Sequence, residues 1–178
     1  MTDANREDPA LIWLLTKLLV FTILMPGSVT VWLPHFYLYR DIHHQPIVWS
    51  GTAVAGLIAI AFGAAGYFWC ALNFAVTGRG TPAPIDMPKV LVVRGLYKFT
   101  RNPMYISVLV VLAGESLLFW SARLAEYAAL VAIGFHVFVL LHEEPTLKRK
   151  MGGAYERYAS DVPRWIPRAR RQRRTNAL

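Results

Sequence analysis

Four apolar stretches, residues 11–33, 51–76, 104–119 and 124–141, the last two of them short, run through a chain of only 178 residues. A helix needs roughly 20 apolar residues to cross about 30 Å of hydrocarbon, so these stretches leave little besides a membrane bundle to fold into. Composition agrees, with 55% of residues apolar and 17% charged, against about 45–50% and about 25% in soluble domains. The expected fold is all-α: one integral membrane domain over residues 1–178 with four transmembrane helices. The length allows no separate catalytic domain beside them, so any chemistry must use the spans and their connections.

Between the last two stretches stand Trp120, Ser121, Ala122 and Arg123, room only for a turn, which predicts a tight antiparallel hairpin. Pro26 and Gly27 predict a bend in the first stretch, because proline lacks an amide hydrogen and clashes with the preceding turn. In the second, Ala55, Ala59 and Gly63, with Gly56 and Gly66 close by, form a small-residue face. Such a face lets helix backbones approach, or clears space for a ligand. Cys70 is the single cysteine and is read as packing. Asp41, His43 and His44 do not by themselves make a metal site, and no metal is expected.

Lys and Arg number 19 against 11 Asp and Glu, a net charge of +8. These basic residues border apolar runs instead of interleaving with stacking aromatics, which argues against a nucleic-acid partner. Residues 78–103 hold five (Arg79, Lys89, Arg94, Lys98 and Arg101) and the part after Glu144 holds ten, while the other two connections hold one each, Arg40 and Arg123. The positive-inside rule then makes the middle segment and the tail cytoplasmic, and an even number of spans puts the N-terminus there too. Asp3, Glu7 and Asp8 make the start unlike a signal peptide.

Residues 78–103 begin with Pro82, Pro84 and Pro88 and end in Arg101-Asn102-Pro103-Met104-Tyr105. Asn102 can cap the third helix with Pro103 in its first position. The same helix start can present free amides, Asn102 and Tyr105 to a pocket open to the cytosol. The fourth stretch closes in His142-Glu143-Glu144-Pro145. Two carboxylates at a helix C-terminus oppose the macrodipole; either Lys148, Arg149 and Lys150 compensate, or a ligand brings an ammonium or sulfonium charge. His142 is the candidate proton acceptor, and His136 is read as hydrogen-bonded structure. Over residues 145–178, Leu147, Met151, Tyr155 and Tyr158 form the stripe of an amphipathic interfacial helix, weakened by Gly152 and Gly153. The arginines from Arg164 to Arg174 read as a polybasic tail.

The Arg101–Tyr105 motif, the preceding Leu91-Val92-Val93-Arg94-Gly95-Leu96-Tyr97, the Glu143-Glu144 pair and the closing Gly153-Ala154-Tyr155-Glu156-Arg157-Tyr158 with Val162-Pro163-Arg164 resemble the isoprenylcysteine carboxyl methyltransferase and phospholipid methyltransferase superfamily. The resemblance covers residues 78–167. It implies an integral membrane enzyme that binds S-adenosyl-L-methionine from the cytosol and methylates a lipophilic acceptor or lipid. Cofactor contacts would fall on Lys89, Val90, Leu91, Val92, Tyr97, Asn102, Pro103, Met104, Tyr105 and Glu143, with Arg101 and Glu144 completing the candidate set; His142 and Asn102 are the catalytic candidates. Asn102 stands where the prenylcysteine enzymes carry His, and Val139 where they carry an arginine for the acceptor. The Leu141-His142-Glu143-Glu144-Pro145 string looks more like the phospholipid N-methyltransferases. The alternatives are an NADPH-dependent sterol or steroid-type reductase, whose cofactor phosphates Glu143 and Glu144 would repel, and a non-catalytic membrane protein.

Overall fold

The computed structural model describes residues 8–37, 48–74 and 91–168. Asp41, His43, His44, Lys89, Val90 and the tail from Arg170 to Arg174 lie outside them. The first apolar rod consists of α1 (Asp8–Leu24), a π-helical turn (Ser28–Trp32) and α2 (Leu33–Tyr37). Then come α3 (Gly51–Asn73), a 3-10 turn (Gly95–Lys98) and α4 (Pro103–Leu118). Next is α5 (Ala122–Phe138), which passes through a second π turn (Val139–Glu143) into α6 (Glu144–Met151), followed by α7 (Gly153–Asp161). Three continuous helices, Thr16–Phe36, Gly51–Asn73 and Ala122–Met151, are long and apolar enough to cross a membrane. The 16 residues of α4 reach about 24 Å, less than the other three. Of the two stretches expected to be short, the third is so, and the fourth is part of a 30-residue helix.

Local chemistry explains the helix ends. Ser50 Oγ accepts the Ala53 amide at 3.4 Å and Ser121 Oγ accepts the Leu124 amide at 3.3 Å, each satisfying a donor that the first turn leaves open. The expected hairpin joins α4 to α5. Trp120 takes a left-handed φ of 47° while the Ser121 amide reaches back to the Ser116 carbonyl at 3.0 Å, a Schellman-type closure at a position that usually holds glycine. Beside Pro26 the first rod changes its hydrogen-bond pattern without ending: α1 stops at Leu24, and the π turn begins at Ser28.

The tightest packing is between α3 and α4, backbone against backbone. A Cβ on Gly56 would lie 2.6 Å from the Gly114 carbonyl oxygen, and one on Gly63 would lie 2.7 Å from that of Ser107. The contact face is Ala53, Gly56, Gly63, Tyr67 and Cys70, all buried. Ala55, expected on that face, is exposed. Steps of four residues overshoot one 3.6-residue turn, so a row read every fourth position slides around the helix. Small residues here serve packing within the chain.

Two hydroxyls tie the first rod to its neighbours, Tyr67 of α3 and Tyr127 of α5. Thr22 Oγ1 donates to the Leu18 carbonyl at 2.8 Å, so the Tyr67 hydroxyl is the donor in its 2.9 Å bond to Thr22. Tyr127 donates to the Val29 carbonyl at 2.8 Å. That carbonyl has lost its helical partners, because the Leu33 amide bonds Ser28 and Pro34 has no amide. Leu18 packs with Tyr67, Ala71 and Val108, which brings the early part of the first rod to the end of the bundle where α3 stops and α4 starts. Gly63→Val should push α3 and α4 apart, costing about 1–3 kcal/mol as overpacking does, read as a lower thermal unfolding midpoint in detergent.

Candidate functional site

The end of α5 differs from expectation in a way that decides the site. The helix does not stop at Leu141; it widens into a π turn, with the Glu144 amide bonded to the Val139 carbonyl, and continues to Met151. Glu143 and Glu144 are thus not at a helix C-terminus, and the macrodipole argument for a compensating cation does not apply. Pro145 supplies the cause. A proline ring inside a helix clashes with the carbonyl four residues back and offers no amide, and one extra residue in the turn accommodates both defects. The first rod repeats the pattern: its π turn begins at Ser28, six residues before Pro34, as this one begins at Val139, six before Pro145.

The wider turn changes which side chain continues the inner face of α5. Phe135 and Phe138 border a cavity of about 290 Å³. In a regular helix the residue four beyond Phe138, His142, would follow them. With the π turn it is Glu143 that borders the cavity, whereas His142 is exposed, its ring stacked on Phe138 at 5.2 Å.

The cavity has two characters. Phe21, Met25 and Val29 of the first rod join Phe135 and Phe138 at an apolar side, and Tyr97, Arg101, Asn102, Tyr105 and Glu143 supply a polar one. The Tyr105 hydroxyl donates to Glu143 Oε2 at 2.9 Å, with its ring 4.7 Å from that of Phe135. Tyr97 packs edge-on to Phe74 at 5.3 Å, and its carbonyl accepts the Tyr158 hydroxyl at 2.9 Å. Burial pushes the Tyr97 phenol well above the usual tyrosine range, so it stays neutral. Burial also raises the Tyr158 phenol.

Glu144 turns away from the cavity to two guanidinium groups. Arg101 Nη1 donates to its Oε1 at 2.8 Å, and Arg164 adds Nε to Oε1 at 2.7 Å and Nη2 to Oε2 at 2.9 Å. The Glu144 and Arg101 side chains are only 12% and 14% exposed, so water screens them little. Lys148, Arg149 and Lys150, one of the two expected sources of compensation, are exposed; of them Lys148 adds a lesser electrostatic contribution at Glu144. Arg164, expected in a polybasic tail, belongs instead to a strap over residues 162–168. The Arg101 amide donates to the Pro163 carbonyl at 2.9 Å, and Thr100 Oγ1 donates to the Arg164 carbonyl at 3.0 Å. Asn102 does not cap α4 with its side chain; its Nδ2 donates to the Arg164 carbonyl at 3.1 Å. Pro103 does take the first helical turn, as expected. Trp165 Nε1 donates to His136 Nδ1 at 3.0 Å, which gives His136 the structural bond expected of it.

The stripe of Leu147, Met151, Tyr155 and Tyr158 also differs from expectation. Gly152, at φ +50°, splits the interfacial helix into α6 and α7. The stripe faces protein: Tyr155, Tyr158 and Val162 are buried with Leu91, Val93, Leu147 and Met151 around them. Val92 points the other way, packing with Cys70 and Tyr97. Of the described candidate residues, Tyr97, Arg101, Asn102, Met104, Tyr105 and Glu143 meet at the cavity; Leu91, Val92, Pro103, His142 and Glu144 do not border it. Sequence reasoning missed the first rod's contribution and Arg164. The Val162-Pro163-Arg164 string of the resemblance was the available signal for the latter.

The cavity of this helical membrane protein thus joins an apolar wall to a carboxylate and a guanidinium. The phospholipid methyltransferase family profile matches residues 51–153, more than half of the chain, and the chain belongs to that family. It is an integral, multi-pass S-adenosylmethionine-dependent methyltransferase. No curated protein and no solved structure matches it. The residues present fit the cofactor: the cavity is near the lower end of small-molecule pockets, Glu143 offers negative charge to a sulfonium or ammonium, and aromatic rings flank it. Pro145→Ala should return the turn to α register and swing Glu143 off the cavity. Titration with S-adenosylhomocysteine should then show roughly tenfold weaker binding, the scale of one lost bond to a charged group, with no lower unfolding midpoint.

Proposed function

We propose that the protein transfers the methyl group of S-adenosylmethionine to a lipophilic, phospholipid-type acceptor at the cytoplasmic face of the membrane, with α4 completing four spans and both termini on that face. The observation that carries this reading is the cavity itself, in which an apolar side formed by the first rod and α5 meets Glu143, Arg101, Asn102 and Tyr105. The distribution of Lys and Arg supports the sidedness. Glu143, oriented by the Tyr105 hydroxyl, holds the cationic end of the cofactor. Tyr97 and Met104 pack against its adenosine, and Asn102 keeps Oδ1 for a ligand donor while Nδ2 is bound to the strap. Lys89 and Val90 remain cofactor candidates outside the described residues. Glu144 and Arg164 hold the loop in place.

S-adenosylmethionine supplies an electrophilic methyl on sulfur, which keeps the bonding pair when an acceptor lone pair takes the methyl. The chain's contribution is alignment of the two reactants and exclusion of water, which together can supply much of the acceleration of a displacement. The exposed position of His142 gives it no direct part, so the acceptor must arrive with a free lone pair or lose its proton to solvent. Arg164 is taken up by Glu144 through two bonds, which leaves Arg101 alone at the cavity border among the described residues, too little positive charge for the phosphates of a nicotinamide cofactor.

Two substitutions test the halves of the cavity separately. Glu143→Gln should weaken S-adenosylhomocysteine binding by about 10- to 100-fold, the range for hydrogen bonds to a charged group; unchanged affinity would remove Glu143 from the site. Val29→Trp should fill the apolar side, lowering kcat/KM for a lipid acceptor roughly tenfold or more while leaving S-adenosylhomocysteine affinity unchanged.

A further inference from the structure

Arg164 lies beyond the residues that the family profile matches, 51–153, yet it makes the most directional charged contact near the cavity. Its Nε and Nη2 meet the two oxygens of Glu144 in parallel, at 2.7 and 2.9 Å, a fork-to-carboxylate pairing that a lysine could not reproduce. Arg101 reaches the same carboxylate through Nη1 alone. Its Nε is buried with no hydrogen-bond partner, although Tyr155 lies against the same side chain. A buried donor left without a partner is costly and calls for an explanation. Arg101 also borders the cavity, together with Glu143.

We infer that Arg164 is a positioning residue: by occupying the fork face of Glu144 it restricts Arg101 to a single bond and leaves that guanidinium's charge available to a carboxylate group on the cavity's ligand. The inference rests on the cofactor reading above. The amino-acid end of the cofactor carries one ammonium and one carboxylate, and among the described residues the cavity border offers one acid, Glu143, and one guanidinium, Arg101, in the complementary sense. Without Arg164, both Glu144 oxygens turn to Arg101, and a bidentate pair draws the guanidinium away from the ligand.

Titration of the detergent-solubilised full chain with two probes tests this. S-adenosylhomocysteine has the amino-acid end, and methylthioadenosine lacks it. Arg164→Gln should weaken S-adenosylhomocysteine about tenfold and leave methylthioadenosine unchanged. The double variant Glu144→Gln/Arg164→Gln should regain most of that loss, because a glutamine oxygen can hold Arg101 Nη1 without claiming its charge. Equal weakening of both probes, or a double variant no tighter than the single one, would overturn the inference, since a loosened fold gives that result. If the wild-type protein binds neither probe, the cofactor reading fails and takes this inference with it.

Discussion

A carboxylate carried on a hydrophobic helix needs positive charge close at hand, and Glu144 draws it from two distant parts of the chain. Arg101 comes from the loop before α4, and Arg164 comes from the strap after α7. Those contacts fasten the loop and the strap to the same helix, beside the cavity that Asn102 and Tyr105 border. Deleting one member of a desolvated ion pair typically costs about 3–5 kcal/mol, because the other charge is left uncompensated. The three charges therefore act as a unit, and the backbone bonds from Arg101 and Thr100 to the strap reinforce the same closure.

Division of labour between adjacent acids follows from helix geometry. Glu144 is committed to arginines, and Glu143 is held by a neutral hydroxyl from Tyr105. One carboxylate is thus saturated by the fold, and the other borders the cavity with a neutral hydroxyl against it. The π turn before Pro145 produces this outcome. It brings an acid onto the aromatic face of α5, where regular spacing would bring an imidazole.

Much of the architecture was legible from hydropathy alone. Apolar run lengths located the helices, the four-residue gap located the hairpin, and the Arg101–Tyr105 and Glu143-Glu144 motifs located the polar end of the cavity. Three features were not legible, each for a physical reason. Periodicity of 3.6 cannot anticipate an inserted residue, so His142 looked as well placed as Glu143; the spacing of Pro145 was the clue. An amphipathic stripe reports that one face is covered, not by what, and Leu91 and Val93 cover this one where lipid was expected. An arginine-rich ending looks alike whether its charges meet headgroups or a buried acid, and Arg164 does the latter. The first rod's share of the cavity, from Phe21 to Val29, had no marker beyond ordinary apolar character.

The strap is also among the last parts of the described chain to be synthesised, since residues 162–168 follow every membrane-crossing helix. Chains emerge and fold from the N-terminal side, so the helices settle in the bilayer while their polar end is still open. The loop before α4 therefore gains its contacts with Pro163 and Arg164 only after every described membrane-crossing helix has been made.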